Sequence, residues 1–263
     1  MSLKKTFMKR KVEGKKLAIV TCYDYWSARI LNSTEVDGLL VGDCVEMVVH
    51  GSPNTLFADV ETIALHVKAV AKGAPDKFVI ASMPAFSIQK GLAQAIENVQ
   101  TLVQAGAQAV KVEGAHGNED IIREIVETGV PVIGHVGLMP SHHYMTGGFR
   151  VQGRDEDDAE TIVEQARAFE RLGAVAIVLE AVPAVRSAGV RDAVKIPVIG
   201  VGAGPDCDGQ ALVLHDLLGV VVDFKPKFVR TYLNGAELIT GAVNRFVEDV
   251  RTSSFPGPAE QYR

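Results

Sequence analysis

The sequence predicts an α/β protein of the (β/α)8, or TIM barrel, type on three observations. Short β-branched apolar runs alternate with longer helical patterns, a pair of βα units repeats internally, and the predicted strands end in ionisable residues. The runs are Leu17–Thr21, Gly38–Gly42, Phe78–Ser82, Ala109–Glu113, Pro131–His135, Ala176–Glu180, Pro197–Val201 and, more weakly, Val220–Asp223. Between them, Leu92, Ile96, Val99 and Val103 recur at helical spacing, as do Ile162, Ala166, Phe169 and Leu172.

The repeat sharpens the pattern. Gly106-Ala-Gln-Ala-Val-Lys-Val-Glu113 matches Gly173-Ala-Val-Ala-Ile-Val-Leu-Glu180 as helix end, strand and terminal Glu, at an offset of 67 residues. Pro131-Val-Ile-Gly134 returns as Pro197-Val-Ile-Gly200 at an offset of 66, so two consecutive units reappear as another two. Each unit is then roughly 33 residues, and eight of them match the length of a barrel. Gly106 and Gly173 stand where a helix end needs a left-handed residue. A doubly wound open sheet is the competing architecture, because βα alternation does not itself show closure. The polar stretches Gly147–Asp158 and Gly202–Gly209 read as long loops after strands, and the tail beyond Ser253 as a frayed end.

A hydrophobic content of 47% against 22% charged residues supports one substantial core, so a single barrel domain over residues 1–263 is expected. The net charge of −5 argues against nucleic acid as the main partner, and the basic opening from Lys4 to Lys16 reads as a solvated terminal helix. Cys22, Cys44 and Cys207 have no C-x-x-C spacing and cannot all pair, which removes a disulfide framework or zinc knuckle and favours a reducing compartment. No run of about 18 apolar residues and no signal-like segment is found, so the expectation is a cytoplasmic protein that does not span a membrane.

In such a barrel the chemistry sits where strands end. Strand one runs into Thr21, Tyr23 and Asp24; strand two into Asp43 and Cys44; strand four carries Lys111 and Glu113; strands five and six end in His135 and Glu180. Residues two apart on a strand share a face, so Lys111 and Glu113 should point together into the mouth, with Glu180 near their level. Taken singly, Asp43 could cap a helix, Lys111 and Glu113 could be a structural ion pair, and His135 could be a hydrogen-bonded core residue. Taken together they suit metal-assisted enolate chemistry on a small oxo acid. Asp43 and Glu113 offer oxygen to a hard cation such as Mg²⁺, Glu180 can take a proton beside a polarised carbonyl, and Lys111 and His135 can hold oxyanions.

Several segments resemble the ketopantoate hydroxymethyltransferase family: Thr21–Tyr25, Val41–Asp43, Val110–Gly114, Gly134–Leu138, Gly147–Arg154, Val178–Glu180, Gly200–Gly209 and Pro226–Phe228. The resemblance spans nearly the whole chain. It implies a (β/α)8 barrel of the phosphoenolpyruvate/pyruvate group that assembles as a homo-oligomer, typically a decamer, in the cytoplasm. It further implies transfer of a hydroxymethyl group from 5,10-methylenetetrahydrofolate to 3-methyl-2-oxobutanoate, giving 2-dehydropantoate for pantothenate synthesis, with Mg²⁺ as the metal. By the same resemblance Asp43 is a direct metal ligand, Glu113 a metal-site carboxylate, Glu180 the general base, and Lys111 and His135 hold substrate.

Two positions depart from the family pattern. Cys44 stands where the family has a substrate-binding Ser, and Ser82 where it has a second metal-binding Asp. A neutral hydroxyl gives Mg²⁺ no charge compensation, so weaker metal binding is expected, with Glu46 as a conceivable replacement acid. These departures keep two other readings open: an aldolase or lyase acting on a different 2-oxo acid, and an oxo-acid-binding barrel without useful turnover.

Overall fold

The computed structural model describes residues 2–223 and 225–262 of the chain. In chain order its elements are α1 (Leu3–Val12), β1 (Leu17–Thr21), α2 (Tyr25–Asn32), β2 (Gly38–Val41), α3 (Val45–Val48), α4 (Val60–Gly73), β3 (Phe78–Ser82), α5 (Leu92–Ala105), β4 (Ala109–Glu113), α6 (Glu119–Glu127), β5 (Val132–Gly137), α7 (His143–Thr146), α8 (Glu156–Arg171), β6 (Ala176–Glu180), α9 (Ala184–Ala193), β7 (Val198–Val201), β8 (Gly209–Leu212), α10 (Leu214–Leu218) and α11 (Gly235–Arg251). The strands pair in parallel in sequence order, and β8 closes onto β1. The closed barrel is therefore correct and the open sheet is excluded.

The chain divides into two compact units, Met1–Val213 and Leu214–Arg263. The first contains the whole barrel. The second carries α10 and α11, and α11 leaves Leu238, Ile239, Val243, Phe246 and Val250 exposed.

The barrel interior changes character along its axis because β3, β4, β5 and β6 switch from apolar to polar on their inward faces. Leu17, Ile19, Ile80, Ala109, Ile133, Ala176, Val178 and Ile199 form one buried cluster with Leu3 and Phe7 of α1. Two residues further along the same face come Ser82 after Ile80, Lys111 after Ala109, His135 after Ile133 and Glu180 after Val178. Period-two alternation thus builds an apolar floor and a polar mouth from the same strands.

Three of the helices begin where a short acidic side chain satisfies an exposed N–H group. Asp24 accepts from Ser27 N at 2.8 Å to start α2, Asp59 from Thr62 N at 2.7 Å to start α4, and Asp155 from Asp158 N at 2.9 Å to start α8. Gly106 ends α5 at φ +117° and Gly173 follows α8 at φ +92°, both left-handed as expected.

Two expectations need correction. The eighth strand is Gly209–Leu212, and Val220–Asp223 forms no strand. Gly209 lies so near the Leu17 backbone that a Cβ would stand 2.6 Å from Leu17 O, so close strand approach selects glycine over the β-branched residues that Val220–Val222 offer. The basic N-terminal helix is not simply solvated: Leu3 and Phe7 are buried under the barrel, worth about 1.5–3 kcal/mol for each side chain. Lys11 pairs with Asp208 at 3.0 Å and donates to Ile196 O at 2.9 Å. The helical spacing over Leu92–Val103 is helix α5, which buries Ala95, Val99 and Leu102 and leaves Leu92 and Val103 exposed.

Candidate active site

Asp43 lies two residues past the end of β2, buried, with Oδ1 accepting from Ser82 Oγ at 3.0 Å and from Lys111 Nζ at 3.4 Å. Lys111, buried on β4, also donates to Glu113 Oε1 and approaches His135 Nδ1, each at 3.0 Å. Glu113 stands opposite His135 in the β4–β5 register, and His135 Nδ1 is 3.5 Å from Glu113 Oε1. On its other side His135 Nε2 comes within 3.2 Å of Glu180 Oε2 without hydrogen-bond alignment, so that contact is electrostatic. The structure brings Asp43, Ser82, Lys111, Glu113, His135 and Glu180 into one continuous chain of contacts across the mouth.

Their protonation follows from this packing. Burial alone would pull the Lys111 pKa down, but the charges of Asp43 and Glu113, a hydrogen bond to Glu113 and the charge of Glu180 outweigh it and raise it. Burial would raise Glu113, yet Lys111, His135 and Ser141 hold its carboxyl well below the usual range. Burial and the Lys111 charge press His135 down, and its contacts with Glu113 and Glu180 reverse the sign, leaving it raised. Glu180 is the most open of the three central carboxylates: its side chain is 20% exposed, against 7% each for Asp43 and Glu113.

Local backbone fixes Glu180 in this position. Gly137 pairs with Glu180 at φ +88°, and a Cβ there would collide with the Glu180 carbonyl oxygen. Ala181, next along, sits at φ +49°, a left-handed conformation that costs a non-glycine residue roughly 1–2 kcal/mol. That strain is held by Ala181 N donating to Val201 O at 2.8 Å and by Ala181 O accepting from Gln152 N at 2.9 Å.

Cys44 is at the rim, its Sγ 2.8 Å from Tyr23 Oη. Burial and the nearby Asp43 charge push its thiol up to about 12, so it is neutral near pH 7. Tyr23, raised well above its ordinary value chiefly by burial, is neutral too. The pair offers a polar but uncharged wall.

Three other positions fall differently from expectation. Asp24 caps α2 and does not join the cluster. Glu46 does not compensate for Ser82, because it turns to His50 Nδ1 at 3.0 Å and Ser52 Oγ at 2.8 Å. Ser141, which no strand-end reading would find, donates to Glu113 Oε2 from its N at 3.0 Å and its Oγ at 2.6 Å. It belongs to a 3-10 turn at Pro140–His142 after β5, and a loop serine carries no periodic signal.

Asp43 and Glu113 suit a hard cation by their chemistry. Mg²⁺ typically takes one or two carboxylates and fills its remaining positions with water and substrate oxygen. Among the described residues no group of three or more His, Cys, Asp and Glu side chains converges as a metal site. The present oxygen set is two carboxylates with the Ser82 hydroxyl.

Comparison with known proteins bears on this arrangement. A sequence model described as ketopantoate hydroxymethyltransferase matches residues 3–258. A 3-methyl-2-oxobutanoate hydroxymethyltransferase of Bdellovibrio bacteriovorus is 46% identical over 256 residues, covering 97% of each chain. One of Coxiella burnetii is 46% identical over 251 residues, covering 95% of this chain and 94% of its own. Among solved structures, phosphonopyruvate hydrolase in complex with oxalate and Mg²⁺ superposes with a TM-score of 0.64 at 14% identity, covering 99% of this chain and 93% of that one. The 2,3-dimethylmalate lyase of the PEP mutase/isocitrate lyase superfamily gives 0.61 at 15% identity, covering 100% and 92%. At such low identity these two speak to the barrel fold alone.

Proposed function

Because this chain belongs to the ketopantoate hydroxymethyltransferase family, an enzyme family of pantothenate biosynthesis, we propose that it transfers a hydroxymethyl group from 5,10-methylenetetrahydrofolate to 3-methyl-2-oxobutanoate, giving 2-dehydropantoate. The observation that carries the proposal is the unbroken contact chain from Glu180 through His135 and Lys111 to Asp43.

In this reading Glu180 is the base. It is the most open central carboxylate and the only one of the three without a contact to the Lys111 ammonium within salt-bridge distance. Glu180 takes the C3 proton of the oxo acid. Lys111 and His135 hold the negative charge that develops on the 2-oxo oxygen, using donors already oriented before reaction. Water hydrolyses the folate-borne methylene, breaking its two C–N bonds to leave tetrahydrofolate and formaldehyde; the enolate carbon adds to the formaldehyde carbon, and the new alkoxide takes back the proton from Glu180. Ser141 holds Glu113, and Glu113 in turn keeps Lys111 and His135 in place. Asp43 and Glu113 would hold Mg²⁺, with Ser82 supplying a neutral oxygen, and the ion when bound would polarise the substrate carbonyl. Cys44 would lie against the substrate carboxylate.

Self-association belongs to the same reading and is supported by the exposed apolar residues of α11. The proposed location is the cytoplasm; no described helix is long and apolar enough to cross a membrane.

Cys44 and Ser82 favour a second reading, aldol or lyase chemistry on another 2-oxo acid. Incubation with 5,10-methylenetetrahydrofolate, Mg²⁺ and 3-methyl-2-oxobutanoate, with the product identified by mass spectrometry, separates the two. The expected product is 2-dehydropantoate. Turnover of a different 2-oxo acid with none of this one would establish the second reading.

A further inference from the structure

Beside the barrel mouth, two imidazoles meet in a way that neutral rings cannot satisfy. His50 Nδ1 is 3.0 Å from Glu46 Oε1, and His66 Nδ1 is 2.5 Å from the backbone oxygen of Tyr23. A carboxylate and a carbonyl oxygen only accept, so each Nδ1 carries the hydrogen and each neutral ring is left with a bare lone pair on Nε2. Those two Nε2 atoms face each other at 3.3 Å. Two lone pairs at that distance repel, and a cation shared between them removes the conflict.

We propose that His50 and His66 form a binding site for a divalent transition-metal ion of the zinc type, separate from the carboxylate cluster of Asp43 and Glu113. Three features agree with it. Nitrogens each ~2.0–2.1 Å from a tetrahedral ion stand about 3.3–3.4 Å apart, which matches the observed separation. Each ring already has the outer partner that metal-bound histidines use to fix tautomer and orientation, a carboxylate for His50 and a backbone carbonyl for His66. The Glu46 carboxylate is itself fixed by Ser52 Oγ at 2.8 Å and puts negative charge behind His50.

Imidazole nitrogen suits Zn²⁺, Cu²⁺ and Ni²⁺, whereas Mg²⁺ prefers oxygen, so the two sites differ in chemistry. With two protein ligands, water fills the remaining positions, and the partly exposed His50, at 37% side-chain exposure, leaves room for it. The bound ion ties the segment after α3 to α4, and α3 directly follows Asp43 and Cys44.

The test is Zn²⁺ titration by calorimetry of untagged protein in excess Mg²⁺, comparing the native chain with His50→Gln and His66→Gln. Circular dichroism in chelator checks that each variant is folded. The native chain is expected to take up one Zn²⁺ that either substitution weakens at least tenfold. Copper electron paramagnetic resonance on the native chain provides an arm that needs no variant, with hyperfine coupling to two imidazole nitrogens expected at the first equivalent. Zn²⁺ binding equally tight in folded His50→Gln would overturn the proposal. So would folded native protein that takes up no Zn²⁺, or a first-equivalent copper spectrum lacking two-nitrogen coupling.

Discussion

Ser82 Oγ donates a 3.0 Å hydrogen bond to Asp43 Oδ1 in the buried base of the mouth. The hydroxyl that occupies a metal-ligand position by family resemblance thus gives its hydrogen to a neighbouring carboxylate and keeps only neutral oxygen lone pairs for a cation. The chain's main departure from the family pattern is visible in this one contact.

Ser82→Asp should therefore strengthen Mg²⁺ binding by at least tenfold, or about 1.4 kcal/mol. Without metal the new carboxylate lies against Asp43, so the variant should unfold at a lower temperature than the native chain in chelator. Mg²⁺ should raise its unfolding temperature by more than it raises the native one, because a ligand specific to the folded state stabilises by mass action. Equal Mg²⁺ protection of both proteins would show that position 82 does not limit the site.

Glu113→Gln removes the carboxylate that faces both Lys111 and His135. Breaking a buried ion pair from one side leaves the other charge uncompensated, at a cost of about 3–5 kcal/mol. Urea unfolding at pH 7 should report a loss of that order. A loss below about 1 kcal/mol, the range of surface pairs, would mean that Lys111 finds its compensation elsewhere.

In metal-free protein the two limbs of the pH profile should belong to different groups. Glu113 is depressed, so its contribution is present above its unfolded pKa near ~4.3 and fades as pH falls toward its folded value. His135 is raised, so its contribution is complete below its unfolded pKa near ~6.5 and fades as pH rises through its folded value. Urea unfolding from pH 6 upward should show native stability declining over that window, with a shallower decline in His135→Asn. Identical slopes in the two proteins would contradict the assignment.

Cys44, with its thiol pushed up to about 12, should resist alkylation. Relative to an ordinary thiol its thiolate fraction at neutral pH is lower by roughly a thousandfold, and its half-buried position restricts access further. Peptide mapping after iodoacetamide treatment at pH 7.5 should find Cys44 unmodified in folded protein and modified in urea.

Much of this architecture is legible in the sequence because strand alternation and strand-end chemistry are local signals. Leu17–Thr21, Phe78–Ser82, Ala109–Glu113 and Ala176–Glu180 are strands with those same limits, and their inward positions supply Ser82, Lys111, Glu113 and Glu180. The eighth strand escapes because Gly209-Gln-Ala-Leu212 has no β-branched residue, while the Val220–Val222 run imitates one. Ser141 escapes because its contact with Glu113 runs through an aperiodic loop. The His50–His66 pair is equally hidden, since it joins residues 16 apart through the packing of α4 beside Tyr23.

Enolisation of the oxo acid by Glu180 can be isolated from folate by following the C3 proton of 3-methyl-2-oxobutanoate by NMR in D₂O with Mg²⁺. The native protein should cause loss of that signal, and folded Glu180→Gln should not. Exchange that persists undiminished in the variant, or no exchange at all with the folded native chain, would remove Glu180 from the role of base.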